Sequence, residues 1–162
     1  MPRISRILIE NAYYHVISRG NQKQKVFASE QDYFCYLGLL RKYKSKFHIR
    51  IYGYCLMPNH VHLVLQPQDT DRLSAFMKGI NQSYALHFNL KYEKCGHLWQ
   101  GRFKSMVIGQ DCYLVDCIEY VEMNPVRANL VKTARDYQWS SYRYRVFGEQ
   151  NSIIDYLKFA EI

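Results

Sequence analysis

The chain predicts an α+β fold, an antiparallel sheet with helices of ferredoxin-like or RRM-like type, on three observations. Short runs rich in aromatic and β-branched residues alternate with helical periodicities in the order strand, helix, strand, strand, helix, strand, helix. The two middle strands are separated only by Met57-Pro58-Asn59, which suits a hairpin and excludes a crossover. The other connections run through helices, as in split βαβ units. With 162 residues, 48% of them hydrophobic, the chain suits one globular domain with a real core.

In chain order, residues 11–19 (NAYYHVISR) stop at the turn pair Gly20-Asn21 and predict a first strand. Ser29 stands as an N-cap, with Glu30 and Asp32 in the first turn. Tyr33, Tyr36, Leu37, Leu40, Tyr43 and Phe47 then recur at steps of three and four, which predicts a helix to about Lys46 with Tyr43 and Phe47 on its inner face. Residues 49–56 and 60–66 form the predicted hairpin. Asp71 is the predicted cap of a second helix burying Leu73, Phe76, Met77, Ile80, Tyr84 and Phe88. Tyr92 to Arg102, with Gly96 and Gly101, reads as a loop, and 103–108 as a strand. Asp111 is the expected cap of a third helix burying Leu114, Cys117, Ile118 and Val121, which Pro125 ends or redirects. Farther on, Ser140 or Ser141 is expected to cap a short helix, and Ile153, Ile154, Leu157 and Phe159 to dock a final turn. The expected organisation is one domain over 1–162, with a core over about 11–131 and a C-terminal extension over about 132–162.

Net charge is +8, from 22 Lys and Arg against 14 Asp and Glu, so an anionic polymer is a better expected partner than an acidic protein surface. Five cysteines form no CxxC pair, and MPRISRILIE lacks the apolar run of a signal peptide, which together predict a reducing cytoplasm. No apolar stretch approaches the ~20 residues of a membrane helix, so no membrane partner is expected.

His60 and His62 stand two apart in a predicted strand, so both imidazoles share one face while Val61, Leu63 and Leu65 share the other. Such a pair serves either as two metal ligands or as half-buried histidines bonded to polar neighbours, and spacing alone leaves both open. A catalyst needs a third ligand and a nucleophile. The third helix offers Tyr120 and, four residues on, Asn124, on a stripe with Tyr113 and Asp116 that is partly distinct from the Leu114, Ile118, Val121 stripe.

These residues also carry a resemblance. Met57-Pro58-Asn59-His60-Val61-His62-Leu63-Val64-Leu65 resembles the His-hydrophobic-His (HUH) segment of bacterial single-tyrosine transposases, and Tyr120-Val121-Glu122-Met123-Asn124-Pro125-Val126-Arg127-Ala128 resembles their nucleophile helix. The Asn-Pro-Val after the tyrosine is similar to the subgroup associated with repetitive extragenic palindromes, the REP-associated tyrosine transposases of the insertion-sequence 200-like group. Ser18-Arg19-Gly20-Asn21 and Leu98-Trp99-Gln100-Gly101-Arg102-Phe103-Lys104 fit the same subgroup. The resemblance implies an HUH fold in which His60, His62 and Asn124 hold Mg²⁺ or Mn²⁺ and Tyr120 is the nucleophile. Typical insertion-sequence transposases of this type carry Gln at the Asn124 position, so here a shorter side chain must reach the ion, with help from a water or from Glu122. The implied enzyme cleaves and rejoins single-stranded or hairpin DNA at palindromic repeats through a 5′-phosphotyrosine link, acts in the bacterial cytoplasm on nucleoid DNA, and is compatible with a homodimer.

Recognition is expected to rest on three basic-aromatic runs, at 41–50, at 99–104 and at 142–145. The residues singled out for DNA are Arg19, Asn21, Trp99, Arg102, Lys104 and Arg127. Two other functions fit part of the same pattern. One is a non-catalytic single-strand binder of RRM-like fold, which would leave the His pair and the Tyr-x-x-x-Asn idle and lacks an RNP segment. The other is a small metal hydrolase, which lacks a Glu or His to complete a zinc set.

Overall fold

Alternation along the first strand divides the molecule into two faces. The computed structural model describes residues 5–6, 8–109 and 111–157. In it β1 (Tyr13–Arg19) buries Tyr14, Val16 and Ser18 on one side, where Asn81 Nδ2 donates to Ser18 Oγ (3.1 Å), and turns His15, Ile17 and Arg19 to the other. The elements that follow are α1 (Glu30–Phe47), β2 (Ile49–Met57), β3 (His60–Pro67), α2 (Thr70–Lys91), β4 (Lys104–Ile108) and α3 (Asp111–Glu122). The sheet runs β2-β3-β1-β4 with every neighbouring pair antiparallel, the expected ferredoxin-like order.

Helices α1 and α2 cover the Tyr14 face. Tyr36 and Tyr84 meet edge to face at 5.2 Å, and the Tyr43 hydroxyl and Ser83 share a hydrogen bond at 2.8 Å. Asp32 is the polar tie between these helices. Its buried carboxylate accepts from the Ala28 and Ser29 amides at the start of α1, and from Tyr92 (2.6 Å) and Lys91 (3.0 Å) at the end of α2. Burial pushes this acid up, but the hydrogen bonds from Tyr92, Ala28, Lys91 and His87 outweigh burial and hold its pKa at about 2.

The hairpin between β2 and β3 pairs Met57 with His60 across Pro58-Asn59. Its tip is held from β1 and the loop after it, because the Gly20 amide donates to Asn59 O (2.8 Å) and the Val26 amide to Pro58 O (2.8 Å). A Cβ at Gly20 would lie 2.4 Å from Gln24 O, so only glycine admits this closure. On the opposite face α3 presses Ile118 onto β2 at Gly53, where a Cβ would sit 3.1 Å from the isoleucine.

Several boundaries differ from the sequence expectation. The second helix begins at Thr70 after Asp69, so Asp71 lies within its first turn, where its charge still suits the helix dipole. Cys117 is only partly buried, unlike Leu114, Ile118 and Val121. Pro125 redirects the chain rather than ending it: a short α4 (Asn124–Arg127) resumes with the proline in its first turn, where a missing N–H costs nothing. Of the two candidate caps of α5 (Tyr142–Phe147), Ser140 Oγ accepts from the Tyr142 amide (3.3 Å), whereas the Ser141 hydroxyl is turned away, accepting from the Tyr54 amide and donating to Glu122. Ile153 is buried and Ile154 and Leu157 pack beside it in irregular backbone, while Phe159 falls outside the described residues.

Candidate active site

The strand register assembles the site on the α3 face. His60 lies opposite Arg19 and His62 opposite Ile17 across β1, so both imidazoles share the side that carries His15. The rings of His60 and His62 are 4.8 Å apart, centre to centre. His60 is partly exposed, whereas His62 and His15 are buried. His60 Nδ1 donates to Asn59 Oδ1 (2.6 Å), which leaves its Nε2 lone pair free. His62 Nδ1 shares a hydrogen with His15 Nε2 (2.9 Å), and His62 Nε2 is buried with no hydrogen-bond partner among the described residues.

Burial, then the Arg19 charge, lowers His60 to about 4; burial, then His60, His15, Arg19 and Arg127, lowers His62 to about 3. Both imidazoles are therefore neutral near pH 7, as coordination requires. An orphaned, buried imidazole nitrogen beside a second free one fits a divalent cation. Among the described residues no three His, Cys, Asp or Glu side chains are grouped to hold a metal.

Helix α3 brings Tyr120 to this face. Its ring stands edge-on to His15 with centroids 6.3 Å apart, and it is half exposed. Asn124, at the start of α4, donates its amide nitrogen to the carbonyls of Tyr120 (3.2 Å) and Val121 (3.1 Å), which orients the side chain and leaves Oδ1 as its remaining acceptor. Arg127 spreads its guanidinium 4.1 Å above the Tyr120 ring and donates to the Tyr120 carbonyl. Tyr113 is exposed farther up α3.

Glu122 does not belong to this group, which corrects one expectation. It is fully buried and bonded to Ser141 Oγ (2.7 Å) and Arg145 Nε (2.7 Å); burial pushes its carboxyl above the ordinary value, and these bonds only partly oppose that push. The residue that sequence reasoning missed is His15. Its parity along β1 matches that of Arg19, but only the β1–β3 register puts it against His62.

The residues singled out for DNA separate. Arg19 is exposed beside His60, and Lys104 is exposed at the start of β4, opposite Ile17. The segment before β4 is stitched to the end of β1, with the Gln100 amide donating to Arg19 O and the Asn21 amide to Leu98 O (both 2.8 Å). Asn21 and Arg102 line a groove with Asn81 and Gln82 of α2. Trp99 is instead buried. Its indole N–H donates to Asn81 O (3.1 Å) and its ring packs near Tyr36 and Tyr84, so it anchors the loop to the core. The other two basic runs have structural partners: Lys44 pairs with Asp155 (2.6 Å), and Arg145 with Glu122 and Glu119.

Comparison with known proteins agrees with this architecture. A REP-associated tyrosine transposase solved bound to a REP hairpin superposes with a TM-score of 0.75 at 20% identity, covering 99% of this chain and 96% of that one. An inferred transposase of Deinococcus radiodurans gives 0.51 at 17% identity, covering 75% of this chain and 96% of that one. The tRNA(His) guanylyltransferase of Saccharomyces cerevisiae gives 0.57 at 12% identity, covering 79% of this chain and 64% of that one. In sequence, an inferred REP-associated tyrosine transposase of Haemophilus influenzae is 28% identical over 106 residues, 59% of this chain. The chain spans 60% of the length of that curated relative. The family described as "Transposase IS200 like" matches residues 8–124, which include His60, His62, Tyr120 and Asn124. The chain belongs to the IS200-like transposase family.

Proposed function

We propose that this chain is a metal-assisted transposase that cleaves and rejoins single-stranded DNA at hairpin or palindromic sites, with Tyr120 as the nucleophile. The observation that carries the reading is the meeting of two elements: the Tyr120 ring stands against His15, which is hydrogen-bonded to Nδ1 of His62, whose buried Nε2 has no partner among the described residues. The hairpin in the solved relative's complex and the family of this chain support DNA as substrate.

In this reading His60, His62 and Asn124 would hold Mg²⁺ or Mn²⁺, which when bound would supply Lewis-acid polarisation of the phosphate oxygens and favour ionised tyrosine. Tyr120 Oη attacks phosphorus, the bond from phosphorus to the 3′ oxygen breaks, and the 5′ phosphate remains on the tyrosine. The phenolic proton leaves to solvent and the freed 3′ oxygen takes up a proton. Because the phosphodiester energy is kept in the tyrosine link, rejoining needs no nucleotide triphosphate. Arg19 and Arg127 supply fixed positive charge for the phosphates, Lys104 adds to it on the edge strand β4, and Arg102, with the neutral amide of Asn21 beside it, continues the track into the groove against α2.

A labelled hairpin oligonucleotide incubated with Mn²⁺ tests the reading. Wild-type protein is expected to cut it, Tyr120→Phe to bind without cutting, and EDTA to abolish the cut. Full cleavage in EDTA would remove the cation from the mechanism, and cleavage by Tyr120→Phe would remove the nucleophile.

A further inference from the structure

The His15–His62 contact has a polarity, and that polarity decides whether His62 is able to bind a cation. Two neutral imidazoles facing each other across 2.9 Å share one hydrogen, so one is donor and the other acceptor. If His15 Nε2 donates, neutral His62 must carry its own hydrogen on Nε2, and a buried N–H is left with no acceptor among the described residues. That N–H also blocks coordination. If His62 Nδ1 donates, its Nε2 presents a buried lone pair, which a cation satisfies. The two rings are close to stacked, 23° between planes and 5.1 Å between centres, and both side chains are almost fully buried, so neither is free to swing away.

We propose that His15 is a positioning residue that accepts the Nδ1 hydrogen of His62 and so fixes the tautomer and ring orientation in which His62 Nε2 faces the cation. The role rests on the metal-assisted reading given above. It is distinct from that of Asn59, which sets the His60 ring in the same way, through a hydrogen bond to Nδ1 (2.6 Å). The two histidines of the pair are thus oriented by different elements: one by the hairpin tip and one by the neighbouring strand. His15 also forms the wall against which the Tyr120 ring rests, so one side chain sets the ligand and borders the nucleophile. Partners of this kind change metal affinity by about 10- to 100-fold when removed.

Two measurements test the assignment. Nitrogen-15 NMR of the imidazoles in the metal-free wild-type protein reads the tautomer directly: His62 is expected as the Nδ1–H form, and an Nε2–H form overturns the proposal. Calorimetric titration with Mn²⁺ then compares wild type, His15→Phe, which keeps a ring but no acceptor, and His15→Gln, which restores an acceptor. His15→Phe is expected to bind about 10- to 100-fold more weakly than wild type, with His15→Gln recovering most of the loss. If wild type binds Mn²⁺ and His15→Phe binds it equally, the positioning role is wrong while the metal reading stands. If folded wild type binds no Mn²⁺, the metal reading itself fails and the proposal falls with it. Should His15→Phe not fold, the wild-type tautomer still decides.

Discussion

The Arg127 guanidinium lies 4.1 Å above the centre of the Tyr120 ring and donates to the backbone carbonyl of the same residue. A residue of α4 therefore covers one face of a tyrosine on α3, and the Asn124 amide, bonded to the carbonyls of Tyr120 and Val121, holds the junction between the two helices. The contact is exposed, so its intrinsic value is modest, about 0.5–1 kcal/mol.

Replacing Arg127 with alanine is expected to leave thermal stability nearly unchanged while weakening binding to a hairpin oligonucleotide. Each lost phosphate contact lowers the slope of log affinity against log salt by about 0.7–0.9. Anisotropy titrations at several salt concentrations measure this, and an unchanged slope would mean that Arg127 serves the tyrosine alone.

Trp99 gives the opposite expectation. Since its ring packs with Tyr36 and Tyr84 and its N–H is bonded to Asn81 O, Trp99→Ala should destabilise the protein by about 3–5 kcal/mol. Trp99→Phe should cost about 1 kcal/mol and leave single-strand affinity unchanged. A loss of affinity in folded Trp99→Phe at unchanged stability would instead make the indole a stacking platform for a base.

Asp32 sets an acid limit on the fold. Its folded pKa of about 2 lies below the ordinary value of 3.8, so its stabilisation is fully present above about pH 4 and is lost as pH falls toward about 2. Asp32→Asn should lower stability at pH 7 by about 1–3 kcal/mol and flatten the pH dependence of stability in that acid window. Urea melts between pH 2 and 7 check both, and parallel curves for the two proteins would contradict the assignment.

The strands, the helices and the shared face of His60 and His62 are legible from the sequence because each rests on a local period of two or near three and a half. Helix starts shift where acidic residues cluster, as at Asp69 and Asp71, because an aspartate suits the cap position and the first turn alike. What local pattern does not carry is register. His15 joins His62 only through the pairing of β1 with β3, and Trp99, which reads as a surface aromatic in a basic loop, is buried because the Gly20 and Trp99 backbones meet in an isolated bridge. Glu122 is withdrawn from the site for a similar reason: the partners Ser141 and Arg145 come from sequence positions far beyond α3.

The measurement that bears most directly on the central claim is the identity of the DNA-linked residue. Wild-type protein incubated with Mg²⁺ or Mn²⁺ and a hairpin oligonucleotide, denatured, digested and analysed by mass spectrometry, is expected to yield a peptide carrying a 5′-phosphorylated nucleotide on Tyr120. Among the 15 tyrosines, this one stands against His15 and beneath Arg127. A nucleotide found on Tyr113, or cleavage with no covalent adduct at all, would contradict the account.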